Sequence, residues 1–176
     1  MKFSETKVKG AFLIELECRQ DHRGFFARSW CAAEYDAHGL NSNVAQINVA
    51  FTSKRATLRG MHYQLAPHQE AKTVRCTLGS VFDVVVDLRP GSPTHKQWDA
   101  FELTAGNHRM LYIPEGCAHG YQTLQDETEI EYLTSASYAP QSARGVRFND
   151  VVFSINWPLP ASLISDADQS WPDYKA

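Results

Sequence analysis

The sequence predicts an all-β sandwich or barrel with short peripheral helices. Three observations carry this. The strand-like runs are short and numerous, turn residues separate them, and no long helical pattern intervenes. Gly79-Ser80, Pro90-Gly91, Gly106-Asn107 and Pro114-Glu115-Gly116 are the clearest of the turns.

Taken in order, residues 11–17 are apolar and partly β-branched and read as a strand. Residues 32–38 have helical character and stop at Gly39. Residues 43–49 form the next strand, whose period of two puts Gln46 and Asn48 on one face. Residues 57–64 follow. Residues 72–78 and 81–88 flank Gly79-Ser80 in the pattern of a tight hairpin. On the first of these, Lys72 shares a face with Val74, Cys76 and Leu78, while Thr73, Arg75 and Thr77 take the other. Residues 98–103, 108–113, 119–124, 128–133 and 152–155 complete the strands. From Trp157 onward the chain is rich in Pro, Ser and Asp and reads as an ordered tail with one helical turn near Ser165. There is no linker, repeat or low-complexity stretch, so residues 1–176 are expected to form a single domain.

Composition narrows the function. The chain is 43% hydrophobic and 21% charged, with a formal net charge of -3, so it lacks the basic excess of a nucleic-acid partner. No apolar run approaches the ~18 residues of a membrane span, and the first residues do not resemble a signal peptide. Cys18, Cys31, Cys76 and Cys117 form no CxxC pair and read as reduced, mostly buried thiols of a cytoplasmic protein.

Glycine-rich phosphate loops, a dinucleotide fingerprint and a GxSxG elbow are all absent. Two segments concentrate chemistry: Leu58-Arg59-Gly60-Met61-His62-Tyr63-Gln64 and Ile113-Pro114-Glu115-Gly116-Cys117-Ala118-His119-Gly120-Tyr121. His62, His68 and His119 with Glu70 or Glu115 are too scattered for a specific metal signal, and Gln64 stands where an HxH pair needs its second histidine. Histidine, tyrosine, lysine and arginine remain, a set suited to acid–base work on an anion. Two readings of Lys72 stay open: an ammonium in water at a strand's mouth, or one aimed into an interior that holds an anion. Gln46 and Asn48 likewise fit a polar pocket or a surface pair. Arg59 and His62 lie three apart, so a regular strand points them to opposite faces unless Gly60 marks a bulge.

Nearly the whole chain resembles the dTDP-4-dehydrorhamnose 3,5-epimerase family. The resemblance rests on Asp21-His22-Arg23-Gly24-Phe25-Phe26, Gln46-Ile47-Asn48, the Leu58–Gln64 segment, Lys72-Thr73-Val74-Arg75-Cys76, Asp83-Val84-Val85-Val86-Asp87-Leu88-Arg89, Ser92-Pro93-Thr94 and the Ile113–Gly120 turn. Tyr132, Tyr138-Ala139-Pro140, Asn149-Asp150, Ile155-Asn156-Trp157-Pro158 and Ser165-Asp166-Ala167-Asp168 continue it in order. The resemblance implies a jelly-roll barrel of the cupin type, a homodimer, and no cofactor or metal. The implied substrate is a nucleoside-diphospho-4-keto-6-deoxy sugar whose C4 ketone acidifies the hydrogens at C3 and C5. It further implies that His62 is the base, Asp168 its carboxylate partner (with Asp166 as the fallback), Tyr132 the acid and Lys72 the cation beside the C4 oxygen. Arg23, Phe26, Arg28, Gln46, Asn48, Arg59, His119 and Tyr138 fall at substrate-binding positions. Arg28 stands where many members have glutamate, Ala50 where a serine is expected and Ala56 where glycine is usual. A single-centre epimerase, a non-catalytic sugar-nucleotide-binding barrel and a metal-dependent cupin are the alternatives.

Overall fold

The computed structural model describes residues 1–175. Along the chain run β1 (Lys2–Glu5), β2 (Phe12–Glu15), β3 (Arg19–Asp21), β4 (Gly24–Phe26), α1 (Ala32–Ala37), β5 (Gln46–Thr52), β6 (Thr57–Gln64), β7 (Lys72–Leu78) and β8 (Ser80–Asp87). They continue with β9 (Trp98–Thr104), β10 (Met110–Ile113), β11 (Cys117–Thr123), β12 (Thr128–Thr134), β13 (Ala143–Gly145), β14 (Leu163–Ile164) and α2 (Asp166–Gln169).

One sheet has the order β1-β2-β10-β7-β12-β5 and the other β13-β6-β11-β8-β9, with β14 lying parallel to β6; β3 and β4 form a separate two-stranded arm. Within these, β10-β7-β12-β5 stands against β6-β11-β8-β9, with antiparallel neighbours throughout. Chain-adjacent strands mostly change sheets, the double Greek-key order of a jelly roll.

That order corrects the expected hairpin at Gly79-Ser80. Strand β7 pairs with β10 and β12, whereas β8 pairs with β11 and β9, so the chain crosses between sheets at Gly79. Gly79 has φ +76°, and a Cβ there would meet Thr128 Oγ1 at 2.5 Å, so only glycine fits the crossing. Alternation alone could not reveal this, because both faces of these strands are covered. Val74, Cys76, Val81, Val85, Leu111, Ile113 and Ile130 meet between the sheets. Val84, Val86, Met61 and Ala118 are capped on the outside by Val146, Phe153 and Ile155. Ile14, Tyr35, Leu40, Met110 and Tyr112 cover the other flank. Strand β8 therefore reads as a largely apolar run on both faces, broken by Asp83.

Residues 152–155 are a turn and coil rather than the expected strand: Ser154 has φ 48°, Val152 is exposed, and only Phe153 and Ile155 are tucked into the core. The helix over 32–37 ends as expected at Gly39, whose φ is 69°. The turn near Ser165 is α2, with the Ser165 hydroxyl accepting from Asp168 N at 3.1 Å. Cys76 and Cys117 are buried free thiols, while Cys31 is half-buried and Cys18 exposed, so the cysteines are less uniformly buried than expected.

Candidate active site

The inner faces of the two sheets line one open end of the sandwich. On β6, β11 and β8, the register sets His62 beside His119 and Val85, then Arg59 beside Tyr121 and Asp83. Two steps along β11, from His119 to Tyr121, thus match three along β6, from Arg59 to His62. This is a β-bulge, and it brings Arg59 and His62 to the same cavity. Gly60, with φ +132°, and Gly120 sit back to back; a Cβ on Gly60 would meet Gly120 Cα at 2.5 Å. On the facing sheet, Asn48, Tyr132 and Val74 align in one row and Gln46, Thr134 and Lys72 in the next.

Between these faces lies a cavity of about 580 Å³ lined by Arg59, His62, Lys72, His119, Tyr121, Tyr132 and Asp168, among others. A second space of about 720 Å³ adjoins it, sharing His62, Lys72, Tyr132, Ala167 and Asp168 and adding Gln46, Asn48, Tyr138, Arg144 and Trp171. Together they form a groove with an inner half, an outer half and a common centre.

The centre is pre-organised. Strand β14 pairs with β6 and delivers α2, so that His62 Nε2 donates to Asp168 Oδ1 at 2.6 Å. Asp168 Oδ2 also accepts from Gly60 N at 3.3 Å, whereas Asp166 is exposed. Burial pushes the Asp168 carboxyl up, but the His62 imidazole, the Gly60 amide and the Ser165 hydroxyl outweigh it and hold the group below the usual carboxylate range. With Nε2 committed to Asp168, Nδ1 is the nitrogen left to take a proton. Burial, and then the nearby Glu70 charge, raise the Tyr132 phenol, which stays protonated at neutral pH. Lys72 Nζ is largely buried and pairs with Glu70 Oε1 at 3.1 Å. His119 Nε2 donates to both oxygens of the fully buried Asp83 at 3.0 Å. Arg59 reaches across to Thr52 Oγ1 at 3.2 Å and Phe51 O at 3.3 Å.

The sequence reading weighed Glu70 only as a metal ligand, and Asp83 escaped it as a site residue. Asp83 had a legible signal, a carboxylate at an inward register position between Val81 and Val85 of an apolar strand. Glu70 precedes β7 on a loop, where spacing gave no sign that it would pair with Lys72.

In the outer half, Gln46 Oε1 accepts from Tyr138 N at 2.7 Å and so holds the loop that presents the exposed Tyr138 ring. Arg23, Phe26 and Arg28 do not reach the groove within this chain. Arg23 and Phe26 lie on or beside the projecting β3–β4 arm, where Arg23 pairs with Asp21 at 2.6 Å and Phe26 is 72% exposed. Arg28 pairs with Glu34 at 2.9 Å. No three His, Cys, Asp or Glu side chains among the described residues are grouped to hold a metal ion. Burial raises the Cys76 thiol to about 11 and the Cys117 thiol to about 12, which keeps both protonated and unreactive. No helix is long and apolar enough to cross a membrane.

Comparison with known proteins agrees with this geometry. Residues 5–176 match the family described as dTDP-4-dehydrorhamnose 3,5-epimerase. The enzyme of that name from Shigella flexneri is 40% identical over 169 residues, 96% of this chain and 93% of its own. The crystal structure of a dTDP-4-dehydrorhamnose 3,5-epimerase from Elizabethkingia anophelis superposes with a TM-score of 0.95 at 35% identity, covering 99% of this chain and 96% of that one. A Legionella pneumophila dTDP-6-deoxy-D-glucose-3,5-epimerase solved with dTDP-4-keto-L-rhamnose gives a TM-score of 0.89 at 32% identity, covering 99% of both chains.

Proposed function

The chain belongs to the dTDP-4-dehydrorhamnose 3,5-epimerase family, and from that premise we propose how its own side chains invert a nucleotide-linked ketosugar. The protein is a nucleotide-sugar epimerase that converts dTDP-4-dehydro-6-deoxyglucose to dTDP-4-dehydro-L-rhamnose. The observation that carries the assignment of roles is the rise of His62 and Tyr132 from facing sheets onto one cavity, with Lys72 beside them.

In the proposed sequence, His62 Nδ1 removes the proton from C3 or C5. The C–H electron pair moves into the C4 carbonyl, giving an enolate. The Lys72 ammonium stabilises the oxygen as its charge develops, often the largest catalytic contribution. Asp168 steadies the imidazolium that forms. Tyr132 returns a proton from the opposite face, which inverts the centre, and both groups then re-equilibrate with water. The positioned base and acid are each worth about 10²–10⁴-fold. The outer half, with Gln46, Asn48, Tyr138 and Arg144, has the polarity for the nucleoside diphosphate.

The 176 residues act as one domain of a cytoplasmic homodimer in this reading. Two features support the dimer. Strand β5 is a sheet edge whose outer face exposes Ile47, Val49 and Phe51 by 60%, 60% and 52%, an unusual apolar stripe. The β3–β4 arm projects Phe25 and Phe26 into solvent. An arm laid over the partner's groove brings Arg23, Phe26 and Arg28 to the substrate, where a single chain cannot.

The test is turnover of dTDP-4-keto-6-deoxyglucose in deuterated water. The wild type should gain two deuterons, at C3 and C5. A single deuteron would mean a one-centre enzyme, and none with binding intact a binding protein. His62→Ala should abolish exchange with its thermal unfolding unchanged; near-normal exchange in that variant overturns the assignment of the base.

A further inference from the structure

Lys72 has to meet a charge that appears only in the transition state, yet a lysine is poorly suited to hold one position. Its ammonium ends a flexible four-carbon stem with about 2 kcal/mol of rotamer entropy. A group that stabilises developing charge works best when it is fixed in place beforehand. Among the described residues, the group that meets this ammonium is the Glu70 carboxylate, with Oε1 at 3.1 Å from Nζ; the Lys72 side chain is 12% exposed and that of Glu70 9%.

Glu70 is itself anchored. It lies near the end of the loop between β6 and β7, and that loop is fastened on both sides. On the β6 side, Gln64 donates to His68 O at 2.8 Å and accepts from Ala139 N at 2.6 Å, while His68 Nδ1 lies 2.9 Å from Ser142 Oγ. On the β7 side, the buried Ala71 donates to Ser135 Oγ at 2.8 Å and accepts from Ser135 N at 2.9 Å, which extends the β7–β12 pairing by one residue. Glu70 and Lys72 flank that residue, so their side chains leave on the same side, and both line the outer half of the groove with Tyr132.

Placement and charge act in opposite directions here. The carboxylate engages one of the three ammonium donors and leaves two for a ligand oxygen. It also neutralises part of the cation, which by itself weakens the pull on an enolate. Placement is the larger effect. Lys72 borders both halves of the groove, so an untethered ammonium would be free to follow the diphosphate outward, and a displacement of about 1 Å can cost about 100-fold in rate. We propose that Glu70 is a positioning residue, which holds the Lys72 ammonium at the common centre of the groove with its remaining donors turned to the C4 oxygen. The proposal rests on the epimerase reading and adds to it a residue that acts through Lys72 and transfers no proton.

Two conservative changes separate placement from charge, each measured on protein whose thermal unfolding confirms the fold. Glu70→Asp keeps the charge but draws the carboxylate back by one methylene; kcat for dTDP-4-keto-6-deoxyglucose should fall about 10- to 100-fold with KM within about twofold. Glu70→Gln keeps the reach and an accepting oxygen without the charge, and should hold kcat to within about threefold of wild type. Lys72→Met should lose about 10²–10³-fold, and adding Glu70→Asp to it should change the residual deuterium exchange by less than about twofold, since nothing is left to place. A wild-type kcat in Glu70→Asp would overturn the proposal, as would a loss in Glu70→Gln as large as in Glu70→Asp, or additive losses in the double variant. Wild-type turnover in Lys72→Met would instead remove the role of Lys72 itself, so the two failures are distinguishable.

Discussion

Asp168 sits on a four-residue helix whose Ser165 cap accepts from the Asp168 amide, so its carboxylate is aimed at His62 before any substrate arrives. The carboxylate also fixes the tautomer: as an acceptor it keeps the imidazole proton on Nε2 and the lone pair on Nδ1. Asp168→Asn keeps the shape but offers an amide that can present its NH₂ to Nε2, favouring the tautomer with its proton on the wrong nitrogen. We expect kcat to fall by about 10²–10⁴-fold with KM little changed, measured by steady-state kinetics. Because the wild-type carboxyl lies below the usual carboxylate range, it is ionised across the neutral range and its own protonation contributes nothing to the deficit there. At this scale the sequence was informative where a residue's role depends on its neighbours in the chain. The LRGMHYQ segment marked His62, but whether Asp168 or Asp166 faced it depended on the phase of a single helical turn, which one-dimensional spacing does not set.

Strands β6 and β11 approach closely because glycines meet where they cross the bulge. A Cβ on Gly120 would stand 2.6 Å from Met61 Sδ, 2.8 Å from Arg59 O and 3.0 Å from Gly60 Cα. The Met61 thioether can swing aside, but the backbone atoms of Arg59 and Gly60 cannot. Gly120→Ala should force the strands apart where they carry His62 and His119. We expect a loss of about 1–3 kcal/mol in stability, a Tm drop of roughly 3–10 °C by scanning calorimetry, together with at least about 100-fold lower kcat/KM. The larger activity loss follows because catalytic geometry tolerates less displacement than packing does. Element positions were largely legible from short β-branched runs, and the helix at 32–37 from its glycine stop. Partner choice was not. β7 and β8 look like a hairpin, yet they belong to different sheets, since burial on both faces erases the alternation that would reveal the partner. The short strands β1, β3, β4, β13 and β14 were missed because they are short, peripheral and in part charged.

At the scale of the molecule, the turn after β8 is tied by Asp87, which lines neither half of the groove. This fully buried carboxylate accepts from Arg89 Nε and Nη2 at 2.8 Å, from Arg89 N at 3.0 Å and from the hydroxyls of Ser92 and Thr94. Burial opposes its charge, but these donors prevail and hold it well below the usual carboxylate range. Removing one partner of such a buried pair costs about 3–5 kcal/mol, so Asp87→Asn should lower Tm by roughly 10 °C while kcat at 25 °C is nearly unchanged. The sign of the pH dependence follows from the depressed folded value. The stabilisation is complete above the unfolded carboxyl's value of about 4 and is lost as pH falls through the folded one. Calorimetry down to pH 3 should therefore show the gap between wild type and variant narrowing only below about pH 4. A gap that narrows near neutrality would assign the effect to another group.

Strand β5 carries its alternation into two separate kinds of consequence. Its even positions, Gln46, Asn48 and Ala50, face inward to the groove, while its odd positions, Ile47, Val49 and Phe51, face outward. Natural drift along these residues is therefore parity-sorted: an even-numbered change alters how the nucleotide sugar is held, an odd-numbered change alters what the protein sticks to. A one-residue insertion would exchange the two sets at once, so the strand can diversify by substitution but has almost no tolerance for a change in length.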